Sequence, residues 1–514
     1  MLLFWVALVV LSGSLLVGLN IFVFGGLETA ILSSNFFSIE SGFSNNDYLC
    51  FSMLAFCGLI AILFSLHYFG WTQNNLNKLI IAFLGVMGCL VLSEDYINSL
   101  FWWEYLGVVS FFLILYYGNF DTLFAGNTTI VASRGGDVGF FLLICYFITG
   151  NSFCLLGSIS ILLIILTKSA VIPFCSWLLE AMRAPTPVSC LVHSSTLVAA
   201  GVWFVSSYGY LILSNSLVNI LLVACLLTIL VSGTVAIVFS DIKKIVALST
   251  CNNVSWCIVY YLLGNPLLCV SQLVCHGVGK CMLFIAVGDA LSSAGGSQNK
   301  SCFTLTANNT MSGFFGVLCL SVSVAGFPFL GVFFTKHGLL NCLFCNGSLV
   351  MSLFICCCAF VSYVYSSRLI FLMVSPFSCN NQWLNNTYYL LSTIVILCSV
   401  FGYLLSNNLE ELSELNNIQS ILISLLNLFG VFVGYYYYMS ICNKSYYSSF
   451  GFNDDSVLNI LQGFSVLGVL NSILFNYRPE VGLVSYLLGV KSSSIIRITV
   501  VPMLLTSLLL ITLI

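Results

Sequence analysis

Apolar runs, each about 20 residues long, follow one another through almost the whole chain, and a run of that length crosses a bilayer as one helix. We count about 15 of them, with bounds good to a few residues. Of the 514 residues 60% are hydrophobic and 6% charged, so a water-soluble domain of this length could not cover its own surface. The sequence therefore predicts an all-α, polytopic membrane protein. The predicted spans are 1–24, 49–69, 79–95, 97–117, 134–150, 153–182, 187–211, 216–239, 241–264, 266–288, 312–341, 349–374, 385–405, 417–441 and 497–514.

The first run begins at residue 1 without a basic region before it. A secretory signal peptide would carry positive charge there, so we expect a retained first span rather than a cleaved leader.

The charges in the loops between the predicted spans separate onto two sides of the membrane. When alternate loops are assigned to opposite sides, every basic loop residue falls on the side that holds the N-terminus. The other side carries acidic residues only, and Arg368, near the end of a span, agrees with this sorting. The pattern follows the positive-inside rule and supports the number and the orientation of the spans. The basic set is Lys78, Arg134, Arg183, Lys243, Lys244, Lys300, Lys444, Arg478, Lys491 and Arg497; the acidic set is Glu28, Glu40, Asp47, Glu94, Asp95, Glu410, Glu411 and Glu414.

Residues 455–490 leave two placements open. The segment is apolar enough to cross the membrane, but Arg478, Pro479 and Glu480 interrupt it. We favour a lateral helix that lies along the basic-side surface before a final anchoring span. A crossing would instead reverse the side on which the C-terminus lies.

Two predicted spans, 153–182 and 312–341, are too long for a single crossing, and each contains a proline, Pro173 or Pro328. A proline inside a helix removes a backbone hydrogen bond and frees a carbonyl group. Broken helices of this kind are tolerated at membrane depth where they line a cavity. We therefore predict two broken helices.

The two broken helices are five spans apart in order, so they enter the membrane from opposite sides. A lysine accompanies each of them, Lys168 in the first and Lys336 in the second. Such pairs are typical of transporters with inverted repeats, and we predict two inverted five-helix repeats. The predicted division is 1–77 for N-terminal helices, 78–213 and 214–375 for the two antiporter-like repeats, and 376–514 for the C-terminal helices.

We take six ionisable residues within the predicted spans as intramembrane candidates. A charged side chain at the bilayer centre costs at least ~2.5–3.5 kcal/mol, so it is rarely kept without a function or a partner. His276 and Lys280 are four residues apart on one helix face, where a proton could pass between them. Together the six predict a polar path for protons. They are Glu104, Lys168, His193, His276, Lys280 and Lys336.

Proton transfer along such a path would use the effect of burial on lysine. Burial disfavours the charged form, whereas a nearby carboxylate favours it, so a change at Glu104 would switch Lys168 between holding and releasing a proton. Histidines are suitable relays because either protonation state is accessible near neutral pH. Three simpler explanations stay open: a packing role for His193, a span-end charge at Glu104, and a Lys336 that extends to the surface.

Sequence motifs for cofactors or for bond chemistry do not occur in the chain. There is no haem-type histidine pair, P-loop, dinucleotide fingerprint or nucleophile elbow. Most of the 23 cysteines are single residues in apolar runs, where a thiol behaves as a small hydrophobe. The CxxC at Cys342 and Cys345 lacks a second pair or a neighbouring histidine. We therefore expect no metal, no redox cofactor and no nucleic acid on this chain.

Seven segments between about Glu94 and Met373 resemble, in order, the antiporter-like proton-pumping membrane subunits of NADH–ubiquinone oxidoreductase (respiratory complex I), most closely the chain 5 group. Mrp-type antiporter subunits share the repeat fold. Beyond residue 375 the resemblance is weak. The segments are FWWEYLGVVSFFLI, SRGGDVGF, TKSAVIPFCSWLLEAMRAPTPVSCLVHSSTLVAAGV, DIKKIVALST, CHGVGKCMLF, VAGFPFLGVFFTK and YSSRLIF.

The resemblance implies a membrane-arm subunit that translocates protons across the inner mitochondrial membrane, driven by electron transfer from NADH to ubiquinone elsewhere. NAD, FMN, iron–sulfur clusters and ubiquinone would bind to partner subunits. The partners would be other membrane-arm subunits, especially the chain 4 homologue, together with phospholipids. The implied site roles are a coupled pair (Glu104 and Lys168), a bridge (His193), a central axis (His276 and Lys280) and a terminal lysine that exchanges protons with the outer aqueous side (Lys336).

Two residues depart from the family pattern. Gln272 stands where many relatives have a histidine one turn before His276, and His337 follows Lys336 where an acidic residue is usual. Two other functions stay open: a subunit of a free-standing cation/proton antiporter, and a structural component with an inactive channel. The C-terminal extension, and a composition with 43 Phe and 23 Cys but 8 Pro, typical of a small organellar genome, favour the oxidoreductase over the antiporter. The retained ionisable set disfavours the structural role.

Overall fold

The computed structural model describes residues 33–34, 37–38, 45–69, 74–93, 96–148, 154–209, 215–239, 241–293, 311–328, 330–346, 349–374, 395–403 and 417–443. The predicted spans at 1–24 and 497–514 and the segment 455–490 lie outside the described residues, as do many of the loop charges used for orientation. The described part is helical except for turns and one antiparallel pair of two-residue strands, β1 (Ser33–Ser34) and β2 (Phe37–Ser38).

The described residues contain eight helices that are long and apolar enough to cross a membrane. The chain is therefore an integral membrane protein with several crossings, as its apolar runs predict. The eight are Asn46–Phe69, Tyr96–Tyr117, Phe120–Tyr146, Thr186–Tyr208, Leu217–Val238, Ile242–Leu262, Pro266–Ser292 and Met351–Met373.

The described residues divide into two compact units, which meet along the sequence between Leu221 and Leu222. The first unit is built from helices that precede this point. They are α1 (Asn45–Phe69), α2 (Asn74–Val91), α3 (Tyr96–Ile114, continued by a 3-10 turn at Leu115–Tyr117), α4 (Phe120–Ile148), α5 (Cys154–Lys168), α6 (Ser176–Ala181), α7 (Thr186–Leu191, continued by a π-turn at Val192–Thr196) and α8 (Leu197–Tyr208).

The second unit takes in most of the helix that contains the dividing point and the helices that follow. They are α9 (Asn215–Val238), α10 (Ile242–Leu262), α11 (Pro266–Ser293), α12 (Met311–Ala325), α13 (Phe333–Asn346), α14 (Leu349–Val374), α15 (395–403) and α16 (Asn417–Asn443).

The helix predicted to break near Pro173 does so. α5 ends at Lys168, and α6 begins only at Ser176. Ala170 has left-handed backbone angles (φ 53°), a conformation that costs a non-glycine residue ~1–2 kcal/mol and that turns the chain out of the helix. The indole nitrogen of Trp177 donates to the Thr167 carbonyl at 3.0 Å, so a side chain satisfies a main-chain group beside the break.

The second predicted break is also present. α12 ends at Ala325 and α13 begins at Phe333, with Pro328 between them. Gly326 has a φ of +80°, which favours glycine at this turn. The lysines lie on different sides of the two breaks: Lys168 ends the helix before its break, whereas Lys336 lies in the first turn after the other.

One helix start was predicted wrongly. The span expected to begin at Arg134 begins at Phe120, so Arg134 lies in the middle of α4 and not in a basic-side loop. The polar residues before it looked like a loop, but Thr128, Thr129 and Ser133 donate their hydroxyl protons to carbonyls of their own helix. A helix accommodates hydroxyls that are satisfied in this way.

Glycines allow α4 and α5 to approach each other closely. A Cβ atom on Gly139 would lie 2.9 Å from the Ser160 carbonyl oxygen, and one on Gly136 would lie 2.6 Å from Thr167 Oγ1. Real Cβ atoms do not come that close, so any larger residue would push the helices apart. The approach places the charged middle of α4 beside the end of α5.

Candidate functional site

Lys168 is the buried cation of the first unit. It is the last residue of α5, is 1% exposed, and its Nζ lies 5.1 Å from the centre of the Trp103 ring in α3. A Cβ atom on Gly107 would be 3.9 Å from Nζ, so this glycine helps to keep the space around the ammonium open. Nζ has no hydrogen-bond partner among the described residues. The electron-rich ring face provides a stabilising contact for the ammonium.

Two charged residues of α4, Asp137 and Arg134, interact electrostatically with the Lys168 ammonium. Arg134 contacts Asp137 at 3.1 Å and Glu104 at 3.8 Å, so it lies between two carboxylates. The Asp137 side chain is 5% exposed, whereas that of Glu104 is 35% exposed. The structure thus places Asp137 as the carboxylate that acts on Lys168, with Glu104 connected to it through Arg134.

His193 shares a small cavity with Lys168. Its ring is fully buried in the π-turn that follows α7, a local irregularity often found at functional sites. The Trp177 ring lies 6.4 Å from the imidazole, centre to centre, and so joins the histidine to the break in α5. The cavity has room for roughly one water molecule. Its lining is Ser110, Ile114, Thr129, Ser133, Thr167, Lys168, Trp177, Val192, His193 and Leu197.

The second unit holds the other three candidates. On α11, Gln272, His276 and Lys280 follow one another at four-residue intervals and are all buried. Lys280 Nζ donates to Ser249 Oγ of α10, and Thr335 Oγ1 of α13 donates to Gln272 Oε1. Neither ring nitrogen of His276 has a hydrogen-bond partner among the described residues.

Lys336 is held at the broken end of α12. Its Nζ donates to the Ala325 carbonyl at 2.6 Å and to Ser362 Oγ of α14 at 3.0 Å, and it lies 5.2 Å from the Tyr363 ring centre. The Tyr363 hydroxyl donates to the Gly326 carbonyl at 3.4 Å. Carbonyls at a helix C-terminus attract positive charge, so the ammonium suits this position. The lysine is 4% exposed and therefore does not extend to the surface.

The two units differ in the charges that surround their lysines. In the first, Lys168 has a carboxylate and a guanidinium nearby. In the second, the charges that act on His276 are those of Lys280 and Lys336, both of them cations. Three buried basic groups cannot all be charged cheaply, so a proton gained by one disfavours protonation of the others. Such a set can exchange protons.

Sequence reasoning overlooked several contributing groups. No functional role was predicted for Asp137, Ser249, Thr335 or Ser362. Asp137 could have been found as an acid within an apolar run, and it is buried. Hydroxyl groups give no comparable signal, since serine and threonine occur throughout membrane helices.

Known proteins are similar in sequence to much of this chain. A sequence profile described as "NADH:quinone oxidoreductase/Mrp antiporter, TM" matches residues 93–362, which include all six candidate residues. NADH-ubiquinone oxidoreductase chain 5 of Ascaris suum is 30% identical over 370 residues, 69% of this chain and 67% of the relative. The chain 5 protein of Anopheles gambiae is 29% identical over 496 residues, 90% of this chain and 84% of the relative.

Solved structures with a similar fold come from related membrane complexes. A chain of the Mrp complex from Dietzia sp. gives a TM-score of 0.68 at 16% identity, covering 95% of this chain and 61% of that one. A chain of the membrane-bound sulfane sulfur reductase, an archaeal respiratory membrane complex, gives 0.64 at 17% identity, covering 80% and 92%. With the profile spanning both sets of buried basic residues, the chain belongs to the NADH:quinone oxidoreductase/Mrp antiporter family of membrane proteins.

Proposed function

We propose that this chain translocates protons across the inner mitochondrial membrane as a membrane subunit of an NADH–ubiquinone oxidoreductase. Electron transfer from NADH to ubiquinone in other subunits would drive it. The observation that carries the proposal is the burial of Lys168 between the Trp103 ring and the charged middle of α4, beside the cavity that reaches His193. A membrane protein keeps so costly a group where it has a function.

In the first unit, the proton resides on Lys168, and the α4 charges control it. Arg134 lies nearer to Asp137 than to Glu104. While it stays there, its positive charge offsets the attraction between the Asp137 carboxylate and the Lys168 ammonium. A shift of Arg134 toward Glu104 would strengthen that attraction, and the return would weaken it. His193, which lines the same cavity, accepts the proton from Lys168, and one water molecule bridges the two side chains.

In the second unit, His276 and Lys280 exchange protons along one helix face, and Lys336 releases them. The buried nitrogens of His276 lack protein partners among the described residues, and groups of this kind commonly bind water. Ser249, Thr335 and Ser362 supply hydroxyls that hold the two lysines and Gln272 in place. We assign the exchange with the outer aqueous side to Lys336.

We further propose the finer architecture that the sequence predicts: about 15 transmembrane helices, two inverted repeats (78–213 and 214–375), and a lateral helix at 455–490. NAD, FMN, iron–sulfur clusters and ubiquinone are assigned to partner subunits. Other subunits of the complex are the partners, with the chain 4 homologue as the neighbour and phospholipids around the exposed apolar helix faces.

The test is Lys168→Met in the assembled complex, in membrane vesicles. We expect NADH-driven proton uptake to fall by roughly tenfold, the factor that ~1.4 kcal/mol represents, and Glu104→Gln to have a milder effect. Lys78→Met is the matched control, because Lys78 is exposed near the start of α2. The Lys78→Met complex should pump at the parental rate. Parental proton uptake by assembled Lys168→Met would refute the assignment.

A cation/proton antiporter is the second candidate, because the family and the fold include Mrp proteins. The same vesicles distinguish the two. An oxidoreductase subunit should give equal NADH-driven proton uptake with and without sodium ions. Proton movement that follows an imposed sodium gradient without NADH would favour the antiporter.

A further inference from the structure

Arg368 is a buried cation that the proposed proton path does not use. It lies in α14, is 1% exposed, and donates from Nη1 to the Ala236 carbonyl at 2.9 Å and from Nη2 to the Phe239 carbonyl at 2.7 Å. Both carbonyls are at the C-terminal end of α9. The last carbonyls of a helix lack partners within the helix, and a cation there also suits the helix dipole. The guanidinium therefore fastens α14 to the end of α9.

A second contact between the same helices lies two turns away. A Cβ atom on Gly233 of α9 would be 2.5 Å from Val361 Cγ1 of α14, so these helices touch with no room for a larger residue. Val361 and Arg368 are seven residues apart and lie on one face of α14. The two contacts together constrain the rotation and the height of α14 against α9.

The stretch between these contacts is the part of α14 that holds Lys336. Ser362 follows Val361, and its Oγ donates to the Ala359 carbonyl at 2.6 Å, which leaves its lone pairs for Lys336 Nζ at 3.0 Å. Tyr363 places its ring against the same ammonium. A rotation or a slip of α14 would move both groups off the lysine at once.

We infer that Arg368 is a positioning residue for proton exchange at Lys336, acting through Ser362 and Tyr363. The inference rests on the proposed function. Arginine is suited to this role because its planar fork supplies two N–H groups to two carbonyls together. A lysine at the same position would keep the charge but bond from a single point.

The experiment compares variant complexes in membrane vesicles by their NADH-driven proton uptake. Arg368→Met should lower it by about fivefold, the factor that one hydrogen bond of ~1 kcal/mol represents. Arg368→Lys should recover part of the loss. Lys244→Gln is the control. Lys244 lies over the Phe239 ring at the C-terminal end of α9, but its charge partner is Asp241. The Lys244→Gln complex should pump at the parental rate.

The double variant Arg368→Met/Ser362→Ala decides whether Arg368 acts through Ser362. If it does, the double variant pumps no more slowly than the worse single variant, since both changes remove the same contact. Losses that multiply, or parental pumping by Arg368→Met, would overturn the inference. Should Arg368→Met fail to assemble, Arg368→Gln takes its place in the same comparison.

Lys336→Gln separates the inference from the proposed function. If Lys336→Gln pumps normally, the role assigned to Lys336 is wrong and the proposed function fails at this step. If Lys336→Gln is inactive while the Arg368 variants pump normally, the proposed function stands and the positioning role alone is wrong.

Discussion

Asp137 holds the most consequential single charge in the first unit. It is buried one turn from Arg134, and its carboxylate acts on Lys168, whereas Glu104 acts on Asp137 and contacts Arg134. A carboxylate close to a buried ammonium stabilises the charged form, so its removal changes the proton affinity of the lysine directly.

We therefore expect Asp137→Asn to slow NADH-driven proton uptake by roughly tenfold, the factor that ~1.4 kcal/mol of lost interaction produces. Asp121→Asn is the matched control, since the Asp121 side chain is 73% exposed and pairs with Arg183. The comparison is made in vesicles with equal amounts of assembled complex. A normal rate in Asp137→Asn with a reduced rate in Glu104→Gln would return the role to Glu104.

The sequence alone identified the ionisable residues of the candidate site, but not the hydroxyl groups that contact them. Lys168, Lys280 and Lys336 stand out because charge is costly in an apolar run, and all three are buried. Ser249 and Ser362 are equally buried, but a serine in a helix can satisfy itself with its own backbone. Only the fold shows which hydroxyl faces a lysine.

The breaks in the helices were predictable because proline has a local effect on the backbone. Pro173 and Pro328 lie in the interruptions that the structure contains. The start of α4 was not predictable in this way. Its polar first half is accommodated by side-chain hydrogen bonds and by the Arg134–Asp137 pair, which are contacts and not propensities.

The close approach of α4 to α5 yields a prediction for these elements. Gly139→Ala should lower the stability of the unit by ~1–3 kcal/mol, because the new methyl group would meet the Ser160 carbonyl and cannot push a backbone aside cheaply. Gly85→Ala in α2 is the control, with no atom within 4 Å of its added Cβ. Thermal inactivation of assembled complexes measures the difference. Equal inactivation temperatures would show that the helices have room to separate.

For the whole molecule, the sequence predicts that the chain crosses the membrane several times but not how its helices group into compact units. The run lengths need no knowledge of tertiary contacts, and the eight long apolar helices of the described residues agree with several crossings. The orientation drawn from the loop charges stays a prediction, and Arg134 lies inside α4 and not in a loop. The division between Leu221 and Leu222 falls inside α9 and depends on contacts distant in sequence. The repeat boundary that we place at 213/214 stays a prediction.

The lateral helix at 455–490 is tested by its accessibility. An epitope tag inserted at Leu470 should be cleaved by protease in vesicles with the basic side outward and protected in vesicles of the opposite orientation. The reason is that a helix interrupted by Arg478, Pro479 and Glu480 is better placed along a surface than across the bilayer. A tag inserted beside Lys444 is the control for the basic side. Protection of the Leu470 tag in both orientations would mean that the segment crosses the membrane.

The basic cluster of the second unit has a consequence for the complex under load. The charges that act on His276 come from two lysines, and among the described residues no carboxylate acts on a proton that arrives there. A proton that moves among these residues carries net charge through the electric field of the membrane, where one elementary charge is worth ~2.3 kcal/mol per 100 mV across the full thickness. The occupancy of this cluster should follow the membrane voltage.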